Sequence, residues 1–245
     1  MTKNVLADKL SEPLNGARTA KFYVHAGDGN LTIDRLTSGE PVLANGTLQY
    51  LENQGLPSRT LIMSNSEATL TLKGGRAGQS WFRFPWAACN GATHWQIYLN
   101  PIVSYDLTAH SDGGNIKLNL AGVYITRLVA DTGGGNIDVA LPDNAANLNI
   151  TAKTGAGNVT VDIGCGTLGS NIVDATSGAG NVEVHIPSGV AVRIHASTGL
   201  GKTIVDPRFS AIDKNRYQSS DFEEAANRVE LTVKSGAGNV VVNTK

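Results

Sequence analysis

Between residues 105 and 206 apolar and polar positions alternate in short runs, each broken by glycine. Ile116, Leu118 and Leu120 enclose Lys117; Ile137, Val139 and Leu141 enclose Asp138; Val159, Val161 and Ile163 enclose Thr160; Val182, Val184 and Ile186 enclose Glu183. Successive side chains of an extended strand point to opposite faces, so a period of two predicts strands that are buried on one face and wet on the other. The runs before each glycine cluster alternate in the same way. The predicted unit is strand, tight turn, strand.

The turns are alike. Gly27-Asp28-Gly29-Asn30, Asp112-Gly113-Gly114-Asn115, Gly133-Gly134-Gly135-Asn136, Gly155-Ala156-Gly157-Asn158, Gly178-Ala179-Gly180-Asn181 and Gly236-Ala237-Gly238-Asn239 share one pattern, with Gly199-Leu200-Gly201-Lys202 as a variant. From Asn115 the equivalent positions fall at 136, 158, 181 and 202, steps of 21, 22, 23 and 21 residues; the last step, of 37, contains an insertion. Four residues before each of these positions stands Ser111, Thr132, Thr154, Ser177, Thr198 or Ser235. Six before it stands Ala109, Ala130, Ala152, Ala175, Ala196 or Val233, and eight before it Leu107, Leu128, Ile150, Val173, Ile194 or Leu231. A unit with one apolar face cannot bury that face alone, so equivalent units stack and share a core. The expected fold is all-β, a right-handed β-solenoid-like stack of repeats about 22 residues long, with neighbouring coils about 4.8 Å apart. Corner glycines are expected to supply positive φ and close approach. Asn30, Asn115, Asn136, Asn158, Asn181 and Asn239 are expected to be structural turn residues, tolerating the left-handed region and forming a ladder along the stack.

The remaining segments extend this reading. Residues 1–19 are expected as a tail and 20–245 as one continuous domain, with irregular early coils over 20–104, regular repeats over 105–206, an insertion over 207–227 and a final coil over 228–245. Within the insertion, Phe222-Glu223-Glu224-Ala225-Ala226 is the one run with helical character, and the segment is expected as a loop lying on the stack. The last strand, Val240-Val241-Val242, is expected to leave an exposed edge at the end of the stack, a route to self-association through coil ends.

Composition narrows the function classes. The 245 residues carry 20 basic and 21 acidic side chains, a net charge of -1, with no basic run. Nothing here draws in a phosphate backbone, so no nucleic-acid partner is expected. Twenty-eight glycines fit many similar turns. Cys89 and Cys165 are the only cysteines, the second inside Gly164-Cys165-Gly166, which reads as a turn. The histidines at 25, 94, 110, 185 and 195 show no ligand spacing, and no metal and no cofactor are expected. No signal-peptide core or membrane-span length of apolar residues occurs, so no membrane insertion by this chain is expected. It is expected in the cytoplasm if complete and at the envelope if part of a longer protein.

Several motifs occur in an order that resembles a known family: Trp95-Gln96-Ile97-Tyr98-Leu99-Asn100-Pro101, the serial Thr/Ser-Gly-x-Gly-Asn units, Ile186-Pro187-Ser188-Gly189-Val190 leading to Gly199-Leu200-Gly201, and Tyr217 followed by Ala226-Asn227-Arg228-Val229. Over roughly residues 20–245 the chain is similar to toast-rack domains, which include the C-terminal region of LiaF-like proteins of the cell-wall-active antibiotic response and the putative adhesin domains. The resemblance implies a non-catalytic β-stack in bacterial envelope-stress signalling, usually fused to membrane helices.

Motifs that suggest chemistry have structural readings beside them. Ala196 to Thr203 fits a loose phosphate loop, but Thr203-Ile204-Val205-Asp206-Pro207 follows where a helix is needed, so no nucleotide is expected. Asp131-Thr132-Gly133 imitates half of an aspartic-protease site and falls on the repeat columns. Asp138, Thr160 and Glu183, with Asp162 and His185 two residues on, form an outward column. Asp138 and Glu183, two coils apart, would stand about 9.6 Å from each other. This column is the basis of an alternative reading as a carbohydrate-binding or carbohydrate-active β-helix.

Six of the 14 aromatic residues, including all three Trp, lie between Trp81 and Tyr98. Trp81, Phe82, Arg83, Phe84, Trp86 and Trp95 are the candidate binding residues, an aromatic-plus-Arg anchor for a protein or an envelope component. The expected function is a non-enzymatic binding or scaffold module, with self-assembly as a further alternative.

Overall fold

The computed structural model describes residues 4–75 and 93–245. The chain forms two long open sheets that face each other across one hydrophobic core running from Leu10 to Val242. The early strands are β1 (Val5–Pro13), β2 (Thr19–His25), β3 (Asn30–Arg35), β4 (Val42–Leu51), β5 (Ser58–Ser64), β6 (Glu67–Lys73) and β7 (His94–Leu99). The regular repeats supply β8 (Ser104–Ser111), β9 (Ile116–Asn119), β10 (Tyr124–Thr132), β11 (Ile137–Ala140), β12 (Asn149–Thr154), β13 (Val159–Asp162), β14 (Ser170–Ser177), β15 (Val182–Ile186), β16 (Ala191–Leu200) and β17 (Thr203–Val205). The chain ends with β18 (Ser210–Asp213), β19 (Arg216–Gln218), β20 (Arg228–Ala237) and β21 (Val240–Thr244).

One sheet has the order β1-β4-β7-β3-β9-β11-β13-β15-β21-β17, the other β18-β19-β16-β20-β14-β12-β10-β8-β2-β6-β5. Through the repeats the chain alternates between sheets and neighbours pair in parallel. Ile137 stands beside Ile116 and Val159, and Ala130 beside Ala109 and Ala152. The inward columns are buried as the alternation requires: Ala109, Ala130, Ala152, Ala175, Ala196 and Val233 are all 0% exposed. Small residues there and larger Leu, Ile and Val two positions earlier let the sheets pack closely on each other.

The serine and threonine column has a physical cause. Each hydroxyl is buried at the corner and donates to a glycine carbonyl of the preceding coil: Thr132 to Gly114 (2.9 Å), Thr154 to Gly135 (2.8 Å), Ser177 to Gly157 (2.7 Å) and Ser235 to Gly180 (2.8 Å). Beside it runs the asparagine ladder. The backbone N–H of Asn115, Asn136, Asn158, Asn181 and Asn239 donates to the side-chain oxygen of Asn30, Asn115, Asn136, Asn158 and Asn181 respectively, at 2.8–2.9 Å. Lys202 closes the row by donating its N–H to Asn239 (3.0 Å), and its side chain offers no acceptor to continue it.

Several expectations are corrected. The repeat asparagines do not adopt positive φ, and neither do most corner glycines; Gly114, Gly135, Gly157 and Gly180 are needed because the previous coil's backbone lies where a Cβ would stand. The segment expected as a tail over 1–19 is not one across its described part, since β1 pairs antiparallel with β4 along its length. The insertion is not wholly a loop: its strands β18 and β19 extend one sheet past β16, while Phe222 lies 1% exposed in a turn beneath Arg193. The last strand is not an edge. The final coil, β20 and β21, lies between the coil of β14 and β15 and that of β16 and β17. The first coil, β2 and β3, is enclosed in the same way between β6 and β7 on one side and β8 and β9 on the other.

Candidate functional site

Each coil turns twice, and the two corners differ in chemistry. The glycine–asparagine corner carries the two hydrogen-bond ladders and closely stacked backbone. The opposite corner, where the chain returns from the shorter strands to the longer ones, varies in length and sequence. In solenoids loops of this kind carry binding residues because they can change without disturbing the stack.

At the second corner successive coils present apolar side chains to solvent: Ile102 is 68% exposed, Tyr124 68%, Leu168 48% and Ile172 50%. Ile102, Val123, Tyr124, Ile125, Pro142 and Ala145 line a groove of about 620 Å³, with Arg35, Asp143 and Asn144 also on its wall. Rigid backbone lies beneath it. Val123 N–H donates to Leu120 O (2.9 Å), Asn144 N–H to Cys165 O (2.8 Å), and Asn100 fixes the loop before Ile102 by donating its side-chain amide to Val42 O (2.7 Å). Gly122 has φ +72°, so the turn before Tyr124 is one that glycine favours.

The outward column on the shorter strands keeps the expected register, with Thr160 between Asp138 and Glu183 and Asp162 beside His185. Asp162 and Glu183 in this column are engaged. His185 stands with Nδ1 2.9 Å from Asp162 and Nε2 3.0 Å from Glu183, and Asn243 donates to Glu183 (3.1 Å). Burial alone lowers the His185 pKa, but the hydrogen bonds and charges of Glu183 and Asp162 outweigh it and hold the imidazole above its ordinary value.

Of the aromatic candidates, Trp81, Phe82, Arg83, Phe84 and Trp86 lie outside the described residues. Trp95 is a core side chain, 1% exposed on β7 with its indole N–H donating to Gln49 O (2.9 Å), so it offers no surface to a ligand. The apparent phosphate loop is the corner between β16 and β17, with a strand where a helix would be required. Asp131 of the apparent protease motif faces His110, 3.2 Å from its Nδ1.

Sequence spacing missed a group on the outer face of the longer strands. His25 on β2 stands in register with His110 on β8, and Asp112 follows at the corner. The Asp112 Oδ1 is 3.1 Å from His25 Nε2 and 3.3 Å from His110 Nε2. Burial pushes the Asp112 pKa up, but hydrogen bonds and charge from His25 and His110 prevail and hold it below the usual carboxylate value. The two histidines are 85 positions apart in sequence, and only the enclosed position of the first coil makes them neighbours.

Residues 2–162 match the N-terminal domain of toast_rack, and residues 146–242 match the C-terminal domain of the cell wall-active antibiotics response protein LiaF. The chain belongs to the toast-rack family. The fold of this toast-rack chain is shared by a "putative cell adhesion protein" from Clostridium sporogenes, which is 21% identical with a TM-score of 0.70 over 99% of this chain and 100% of that one. A "putative adhesin" from Bacteroides fragilis is 11% identical with a TM-score of 0.33 over 98% of each chain, too low a likeness to bear on the fold. No curated protein matches the chain.

Proposed function

We propose that this toast-rack chain is a non-enzymatic binding module that holds a protein partner in the bacterial response to cell-wall damage, and that the partner lies along the second corner at Ile102 and Tyr124. The row of exposed apolar side chains at that corner carries the reading. Large aromatic and aliphatic side chains held in water on a rigid backbone are the anchors that partner proteins desolvate. The LiaF-like match supplies the envelope-stress context. We read the stack as right-handed, as parallel strands joined by crossovers almost always are. A non-enzymatic role is supported by the outward acidic column, where Glu183 is held by His185 and Asn243 while Asp138 lies two strands away.

The chromosomal double substitution Ile102→Ser/Tyr124→Ser tests this reading. It is expected to reproduce the effect of deleting the gene on growth under a cell-wall antibiotic, while the purified variant keeps the parent's unfolding midpoint. Parental growth with a folded variant refutes it.

A second reading, self-association, is supported by the end of the stack, where β17 is a sheet edge with Ile204 51% exposed and Leu200, at the end of β16, is 75% exposed. A strict monomer across a concentration series in sedimentation removes it.

A further inference from the structure

We infer that the outer face of the first and third sequence coils carries a site for a borderline divalent transition metal such as Zn²⁺, held by His25 Nε2, His110 Nε2 and Asp112 Oδ1. The donor chemistry and the spacing both support it. Metal–nitrogen and metal–oxygen bonds of about 2.0–2.1 Å in a tetrahedral site place neighbouring donor atoms about 3.3 Å apart. The two nitrogens stand 3.1 and 3.3 Å from the shared carboxylate oxygen, and all three donor atoms lie within 4.8 Å of one another. Two imidazoles and one carboxylate suit zinc and its neighbours in the transition series and are poor for magnesium or calcium, which demand more oxygen.

The site is held from several directions. His25 and His110 sit on paired strands with their rings edge to face, centroids 4.5 Å apart. Asp112 is fixed at the corner, where its N–H donates to Gly27 O (2.7 Å) and the preceding Ser111 hydroxyl bonds the Gly27 and Gly29 carbonyls (2.9 Å each). Behind the ligands, the Asp131 carboxylate stands 3.2 Å from His110 Nδ1, close enough to pair with the ring. A carboxylate on the ring nitrogen that faces away from the ligands favours the form of the imidazole whose other nitrogen is free for a metal. The three ligand side chains are 35–44% exposed, which leaves a fourth coordination position to water or to a donor from another molecule. The second histidine cluster lacks this convergence. His185 directs its two nitrogens at different carboxylates, so no single point lies within bonding distance of all three groups.

Isothermal titration of the full chain with Zn²⁺ tests the site, with Co²⁺ absorption reporting its geometry. One equivalent is expected to bind, with an intense d–d band of tetrahedral cobalt, and Mg²⁺ is expected not to compete. His25→Ala/His110→Ala is expected to abolish binding without moving the unfolding midpoint of the metal-free protein, since both rings are half-exposed. Asp131→Asn touches no metal and is expected to weaken binding roughly 10- to 100-fold. His185→Gln serves as the control and is expected to leave affinity unchanged. Absence of Zn²⁺ binding, or binding that persists in the double alanine variant, overturns the inference.

Discussion

Gly135→Ala and Gly134→Ala change neighbouring residues of one corner and are expected to part sharply. Neither glycine has positive φ, so neither substitution strains the backbone dihedrals. At Gly134 nothing lies within 4 Å of the added methyl, whereas at Gly135 the methyl would stand 2.0 Å from Gly114 O and 2.4 Å from its carbonyl carbon. Both atoms belong to backbone that is itself stacked on the next coil, so the coils must separate by more than an ångström. Overpacking of this kind costs about 1–3 kcal/mol. The separation also stretches the bonds from Thr132 Oγ1 to Gly114 O (2.9 Å) and from Asn136 N–H to Asn115 Oδ1 (2.8 Å), at about 0.5–1.5 kcal/mol each. The entropy that alanine removes from the unfolded chain is common to both variants and cancels between them. The expected difference is therefore about 2–6 kcal/mol, which for a chain of this size lowers the thermal midpoint of Gly135→Ala by at least about 4 °C relative to Gly134→Ala. Circular dichroism melts of the two variants under one buffer read this directly. Coincident midpoints would show that the coils are not stacked at backbone contact here.

Thr154→Val keeps shape but removes the donor to the Gly135 carbonyl at a site 1% exposed; urea unfolding is expected to show a loss of about 1–3 kcal/mol for the carbonyl left unpaired. His185 has a folded pKa raised above 6.5, so its contribution is fully present below pH 6.5 and is lost as pH rises through the folded value. The stability of the parent relative to His185→Gln is accordingly expected to decline on that rise, and a pH-independent difference would contradict the geometry. Removing residues 228–245 deletes a coil enclosed on both sides rather than a terminal one, so the truncated chain is expected to lose the cooperative melt and to aggregate during gel filtration.

The repeat columns were legible because each is a local rule repeated. The alternation of Ile137, Val139 and Leu141 fixes which face is buried, and the spacing from Asn115 to Asn181 fixes the parallel register. The stacking order was not legible. Chain order suggested that Val240–Val242 ended the stack, but the step of 37 residues before Asn239 is long enough for the chain to fold β18 and β19 over the edge and return to the inner side of β16. Little in a coil's own pattern says which neighbour it will join, because most coils offer the same hydroxyl donor and asparagine acceptor; Lys202 alone, with no acceptor to offer, marks an end of the row. The same ambiguity hid the metal ligands, since His25 meets His110 only when the first coil is enclosed. Trp95 was misread because an aromatic cluster in sequence looks alike whether its members are anchors or core. The second corner was overlooked because Ile102, Tyr124 and Leu168 share no motif and are joined only by stacking.

The most direct test of the proposed role is site-specific photo-crosslinking in the bacterium, with a benzophenone amino acid placed at Tyr124 on the second corner or at Asp138 on the sheet face. A discrete protein adduct from position 124, absent from position 138 and induced or retained under a cell-wall antibiotic, is the expected result. Equal adducts from both positions, or none from position 124 in a folded protein, would contradict the assignment of the second corner as the partner-binding edge.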